Sequence, residues 1–328
     1  QYPNDPDVLY ARGQALNDVG RLYEAIAVYR RGVKLAPEYW RMRDNLGNIL
    51  SRIGKHEEAE HQYRAALREP EAAENVPTWN NLAVCVQLQG RVDDSIAILK
   101  NAVAQDPSYG DAWNNLGNGL GCLGQVDESI AAYRKAVECE PTKNAYHTNL
   151  IFAVDLHPDT TPEEALDERG RWHVHHTQPA TPSNIGGRSS VLAGTRSSLV
   201  RYRVGYVSGD YRNHSAARTF SPIIFEHDRD AFEVFLYSNT PGEDKITELM
   251  REQGAWRNIV NKPDSAVAEM IRDDEIDILV DCSGFTEGNR LGVFALKPAP
   301  IQVTGWGYCT GTGLEQMDYL MGDEIVTP

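Results

Sequence analysis

Four glycines, Gly20, Gly54, Gly90 and Gly124, stand 34, 36 and 34 residues apart, and this period constrains the first half of the chain more than any other feature. Seven residues before each comes a small residue: Gly13, Gly47, Ala83 and Gly117. Nine residues after each comes a large one, Tyr29, Tyr63, Leu99 and Tyr133, with Ala25, Ala59, Ser95 and Ser129 between. A recurring small residue marks the place where two antiparallel helices must approach closely, so each period reads as one helix, a turn and a second helix.

Pro37, Pro107 and Pro141 close three of the periods, and Trp79 with Leu82 and Trp113 with Leu116 complete a pattern that resembles the tetratricopeptide repeat. Such repeats stack into a superhelix with a concave groove. Four full repeats and a partial fifth are expected over 1–156, with register lost at His157-Pro158; the two extra residues of the middle period fall near Glu71 to Pro77, between repeats. Asn45, Asn81, Asn115 and Asn149 all precede the repeat's leucine. Asparagine is a mediocre helix former outside the small-large packing code, so its recurrence predicts either a row of amides that hydrogen-bond the backbone of an extended peptide or side-chain bonding between neighbouring repeats.

Charge limits the partners. With 47 Asp and Glu against 32 Lys and Arg, net −15, the chain suits neither nucleic acid nor an anionic membrane as its main partner. It has no run of about 18 apolar residues and no charged-then-apolar leader. Cys85, Cys122, Cys139, Cys282 and Cys309 are odd in number, widely spaced and never in CxxC form, which fits reduced thiols in a cytoplasm and not a metal set.

Residues 157–200 read as a helical junction and linker. Thr161-Pro162-Glu163-Glu164 is a helix start, with its helix running to about His176; His173, His175 and His176 lack the spacing that puts two ligands on one face, so no metal is expected there. From Arg201 the period becomes that of alternating strands and helices. Strands are expected over 203–208, 232–238, 257–260, 276–282, 301–304 and 319–321, and helices over 216–227, 243–253, 264–273 and 289–296. This predicts a doubly wound parallel sheet over 201–328, one Rossmann-like lobe without a GxGxxG or GxxxxGK[ST] phosphate motif.

Ligands of such sheets bind at the C-terminal ends of strands. The first strand ends in RYRVGYVSGDYRNHS, which places Asp210, Arg212, Asn213 and His214 in a loop, Ser215 as helix cap, and unpaired N–H groups that favour an anion such as a diphosphate. The fourth ends in DILVDCSGFTEGNR, with Asp281, Ser283, Gly284 and Thr286; the fifth runs into Gly305, Gly307, Gly311 and Gly313.

A repeat array followed by RVGYVSGDYRNHS, DILVDCSGFTEGNRLGVFALKPAPIQVTGWGY and GTGLEQMDY resembles the O-GlcNAc transferase family and its SPINDLY-type relatives. The resemblance implies an N-terminal lobe of a GT-B glycosyltransferase: metal-independent, without cofactor, and inverting as it moves a sugar from a nucleotide sugar to Ser or Thr of proteins. It implies UDP-GlcNAc as donor, with GDP-fucose the SPINDLY-type alternative. It implies His214 as the active-site histidine, Ser283, Thr286 and Gly307 near the donor, and the asparagine row as the peptide holder. Asp210 and Asp281 are the alternative bases, and His214 stands ahead of both. The resemblance further implies a second lobe beyond Pro328, in the same chain or another; a peptide-binding adaptor is the non-catalytic alternative. Ser283 stands where O-GlcNAc transferases usually have an amide and Cys309 where the family usually has proline, and DYxxHS and PAPIQVT lean toward SPINDLY-type and bacterial members, which leaves the donor sugar open.

Overall fold

The small and large residues of the repeats meet. In the computed structural model, which describes residues 4–177, 201–306 and 311–322, the rings of Tyr29, Tyr63 and Tyr133 lie against Gly13, Gly47 and Gly117. A Cβ added at Gly47 or Gly117 would stand 2.7 Å from the facing tyrosine ring. Where the large residue is the shorter Leu99, the small one is Ala83, and both are fully buried. Volume is therefore conserved across each pair, as a close-packed interior requires.

The helices follow in pairs: α1 Pro6–Asp18 with α2 Leu22–Leu35, α3 Trp40–Arg52 with α4 His56–Ala66, α6 Val76–Leu88 with α7 Val92–Gln105, and α8 Gly110–Cys122 with α9 Val126–Cys139. The fifth unit contributes α10 Asn144–Leu156. The periodic glycines end the first helix of each pair at φ between +72° and +80°, and the next N–H reaches back to close it, as Arg21 N does to Leu16 O and Lys55 N to Leu50 O. The two extra residues of the middle period are not plain loop. They form the short α5 Pro70–Ala73, after which Asn75 caps α6 through Oδ1 to Thr78 N at 3.1 Å. Trp79 and Trp113 donate Nε1–H to Ala73 O and Pro107 O, both at 2.9 Å; in the second repeat Arg43 Nε makes the same bond to Pro37 O at 3.0 Å, which is how that repeat dispenses with a tryptophan.

The chain divides after Ala153 into two compact units. In the second, α11 Pro162–His176 starts with the capping box of Thr161 and Glu164. His173 donates to or accepts from the Thr177 hydroxyl, His176 lies against Trp172, and no metal-ligand cluster occurs among the described residues. The linker beyond 177 falls outside the described residues.

Then come β1 Tyr202–Ser208, α12 Ser215–Phe225, β2 Phe232–Ser238, α13 Lys245–Arg251, β3 Ala255–Asn258, α14 Asp264–Asp273, β4 Ile278–Asp281, α15 Leu291–Ala295, β5 Ile301–Thr304 and β6 Tyr319–Leu320. All pairings are parallel, in the order β3-β2-β1-β4-β5-β6. Buried runs in β1, β2, β4 and β5 match strands covered on both faces. β3 lies two residues earlier than expected, because Gly254 permits the chain to pack on the Val234 carbonyl and start the ladder at Ala255. β4 is shorter at both ends: Asp277 turns aside to accept Arg203 N at 2.9 Å. No helix among the described residues is long and apolar enough to cross a membrane.

The matched pairs predict coupled stability. Gly117→Ala drives a methyl into Tyr133 and is expected to lower unfolding free energy by about 1–3 kcal/mol. Adding Tyr133→Leu, which recreates the third repeat's pair, recovers much of that loss in denaturant titration, whereas independent sites would sum.

Candidate active site

The reversal of strand order falls between β1 and β4, where an open α/β sheet has its crevice. At this edge the apolar strands end in buried polar residues: Ser208 on β1, Ser238 on β2, Asp281 on β4 and Thr304 on β5, each no more than 3% exposed. Each bonds the backbone of an outgoing loop or a neighbour doing so. Ser208 Oγ accepts Asp210 N (3.0 Å) and Ser238 Oγ accepts Thr240 N (3.3 Å). Asp281 accepts Ser283 N (3.1 Å), Gly284 N (2.9 Å) and the Thr304 hydroxyl (2.8 Å). Burial pushes the Asp281 carboxyl above the ordinary aspartate range even though these three donors oppose it.

The β1 loop is anchored from inside. Tyr211 is fully buried, with its ring edge-on to Phe220 at 5.7 Å and its hydroxyl donating to Tyr206 O at 2.9 Å. Its N–H goes to Thr240 Oγ1 (3.0 Å), and its carbonyl accepts the Thr247 hydroxyl (2.6 Å). Asn213 N donates to Asp244 Oδ2 at 2.7 Å, a bond that holds the Asp244 carboxyl below its usual value. Gly209 N reaches Ser283 Oγ at 3.3 Å, and a Cβ at Gly209 would stand 3.0 Å from Gly288 O, so the two loops pack backbone to backbone.

These bonds correct two expectations. The β1 loop does not offer a set of free N–H groups to an anion: those of Gly209, Asp210, Tyr211, Arg212 and Asn213 all have protein acceptors. Ser215 is not the helix cap. His214 is, accepting Ala216 N on Nδ1 at 3.3 Å.

His214 is 44% exposed in its side chain, and Asp210, 5% exposed, faces it with Oδ1 at 3.6 Å from Nδ1. Arg212, 41% exposed, has Nη2 3.5 Å from the same oxygen. At this edge an accessible imidazole and an accessible guanidinium thus stand in front of a buried carboxylate. Asp281 and Ser283 share the edge but are buried, and their side chains hold loops. Thr286 is half-buried and donates to Ser283 O at 2.7 Å. Gly307 lies outside the described residues. Sequence reasoning missed Ser208, Ser238, Thr240 and Thr247; for Ser208 and Ser238 the available signal was the polar residue terminating an apolar run, while Thr240 and Thr247 carry no local signal of their bonds to Tyr211.

In the repeat unit the asparagines are half-buried, and Asn45, Asn115 and Asn149 are bonded within the protein. Asn115 Nδ2 donates to Asn80 Oδ1 and Asn149 Nδ2 to Asn114 Oδ1, both at 2.9 Å. Asn45 Nδ2 reaches Tyr29 OH at 3.3 Å and lines a pocket with Gln14, Asn17, Asn48 and Arg52. Bonding between successive repeats is thus present along this row.

Residues 192–328 match glycosyl transferase family 41, and residues 6–39, 45–108 and 110–143 match tetratricopeptide repeats. Over 130 residues the chain is 38% identical to the probable UDP-N-acetylglucosamine–peptide N-acetylglucosaminyltransferase SPINDLY of Oryza sativa subsp. japonica, covering 38% of this chain and 14% of that protein. It is 38% identical over 151 residues to the UDP-N-acetylglucosamine–peptide N-acetylglucosaminyltransferase of Caenorhabditis elegans, covering 45% of this chain and 13% of that one. A solved mutant of the Thermobaculum terrenum O-GlcNAc transferase superposes with a TM-score of 0.68 at 28% identity, over 98% of this chain and 54% of that chain. The aligned region thus spans about a seventh of the curated relatives' length.

Tyr211 gives a pH signature. Burial raises its phenol well above 10.0, so the stability it confers is complete below that value and lost as pH rises through the folded-state value. Tyr211→Phe removes one hydrogen bond, about 1 kcal/mol near neutrality, and makes the alkaline loss of stability shallower. Unfolding curves at pH 7 and above 10 check both.

Proposed function

We propose, for a chain that belongs to the O-GlcNAc transferase and SPINDLY family, that the β1–β4 edge is one half of a sugar-transfer site for protein hydroxyls. The reaction is inverting transfer of GlcNAc from UDP-GlcNAc to Ser or Thr, with a second lobe of the family's type completing the nucleotide site. The donor follows the names of the relatives; the chemistry follows the edge.

One observation carries the reading: an exposed histidine is fixed as helix cap at the switch point of the sheet. With Nδ1 accepting Ala216 N–H, the neutral ring carries its proton on Nε2. In that tautomer His214 is a hydrogen-bond donor to a departing diphosphate, and Arg212 with the first turn of α12 supplies further positive character. To act as base through Nε2 the ring must instead hold its proton on Nδ1, and Asp210 is the acceptor placed to receive it. We assign His214 the first role; its Nδ1 then carries no proton for Asp210 to accept, and the carboxylate stands beside Arg212 instead. Thr286, half-exposed, is the side chain of the β4 loop available to the donor sugar, while Asp281 and Ser283 keep that loop in place.

The test is a transfer assay on protein carrying both lobes, run with UDP-GlcNAc and GDP-fucose side by side. His214→Ala is expected to lower kcat about 10²–10³-fold, the size of one lost charge-stabilising donor; undiminished turnover overturns the assignment. Asp210→Asn separates the roles, since a base at Nε2 needs the carboxylate and a donor at Nε2 does not. Turnover with GDP-fucose alone moves the chain to the fucosyl branch.

The acceptor side has its own check. If the repeat asparagines hold peptide backbone, the Asn81→Ala, Asn115→Ala double change raises acceptor KM about tenfold, the loss of roughly 1.4 kcal/mol, with donor KM unchanged. A fall in melting temperature with acceptor KM intact assigns them to repeat stacking alone.

A further inference from the structure

Arg169 lies on α11, outside the region that matches family 41, and is only 3% exposed. A guanidinium is tolerated in such a place only when its N–H groups find acceptors. Arg169 finds them in three segments. Nε donates to Gly311 O (3.2 Å), Nη1 to Ala165 O (2.6 Å), and Nη2 to both carboxylate oxygens of Asp155 (2.7 Å each). Asp155 is itself only 8% exposed in its side chain.

The same helix turn touches both loops of the proposed donor edge. A Cβ on Gly313, whose φ is +66°, would stand 3.0 Å from Arg169 Cβ, so the arm after β5 lies directly on the arginine stem. The guanidinium carbon is 5.9 Å from the centre of the Phe285 ring, and Trp172 meets that ring edge-on at 5.2 Å. Phe285 sits between Gly284 and Thr286 of the β4 loop.

We propose that Arg169, oriented by Asp155, is a positioning residue for the donor edge, setting the Phe285-Thr286 loop and the Gly311–Gly313 arm relative to each other. This rests on reading that edge as a nucleotide-sugar site. Stability alone is a weak reason for the pair, because apolar residues of similar volume commonly replace a buried ion pair at no loss. A planar fork with five fixed donors does what apolar packing cannot: it sets direction as well as distance. Small displacements of groups that contact a substrate are enough to slow a reaction, so a rigid tie behind two such loops has a functional consequence.

The test uses Arg169→Lys, which keeps charge and stem but loses the fork, and Asp155→Asn, which keeps shape and loses charge. Each is measured in protein carrying both lobes by donor and acceptor KM, and by hydrogen exchange of residues 283–289 and 311–314. The expected result is a donor KM raised about tenfold, acceptor KM unchanged, and faster exchange in both segments with β1 and β2 still protected. Unchanged exchange in either segment, or unchanged donor KM in a folded variant, overturns the proposal. Should Arg169→Lys not fold, Asp155→Asn decides by the same measures. Absence of transfer by the parent protein counts against the transferase reading itself, and the exchange data then decide alone whether Arg169 couples the two loops.

Discussion

A parallel strand that enters a loop inside a dry sheet edge brings N–H groups that water cannot reach, and this protein answers each with a polar side chain at the strand's end. Ser208, Ser238, Asp281 and Thr304 form that row. Two of them, Ser208 and Ser238, bond the N–H two residues on in their own chain; Asp281 takes two N–H groups and ties itself to Thr304. The candidate site depends on this row. Without it the β1 and β4 loops would have no fixed start, and the backbone contact of Gly209 with Gly288 would not hold.

The loops are also held from outside the row. Tyr211 reaches inward as a core residue, Asp244 grips the loop at Asn213, and Arg290 fans across Asn239, Ile259 O and Lys262 O while pairing with Asp264. Among the groups that stay accessible in front of this support are His214, Arg212 and part of Thr286. Rigid support behind a few accessible polar groups is the arrangement that preorganised charge stabilisation requires. The repeat unit shows the same economy. Its asparagines tie successive repeats together and are still half-exposed, so one amide can serve packing and a bound peptide at once.

Much of this was legible early because it is periodic or local. Glycine spacing announced the helix pairs, and Thr161-Pro162-Glu163-Glu164 announced α11, since a capping box is written within four residues. β2, β5 and α14 fall on their expected bounds because apolar runs flanked by polar breakers are local signals as well. The errors concern partners distant in sequence. Ser215 satisfies every local rule for a cap, yet His214 takes the place because its imidazole folds back onto Ala216. The β1 loop looked rich in free N–H groups, and only the fold brings Thr240, Asp244 and Ser283 to occupy them. Asp281 read as a possible base until its neighbours in space made it a buried loop clasp.

The sequence by itself determined the repeat array, the parallel α/β lobe, the order in which loops reach one edge and the family resemblance, because period, propensity and motif are properties of short stretches. The tertiary structure alone decided which polar groups are held and which are offered. Ser283 and Thr286 are three residues apart and chemically alike, yet one is buried against Gly209 and the other half-exposed. Arg169 looked like one more charge on a junction helix until Asp155, Gly311 and Phe285 gathered around it. The reason is physical: a hydrogen bond or a buried charge is defined by its partner's position, and those partners come from segments up to 142 residues away.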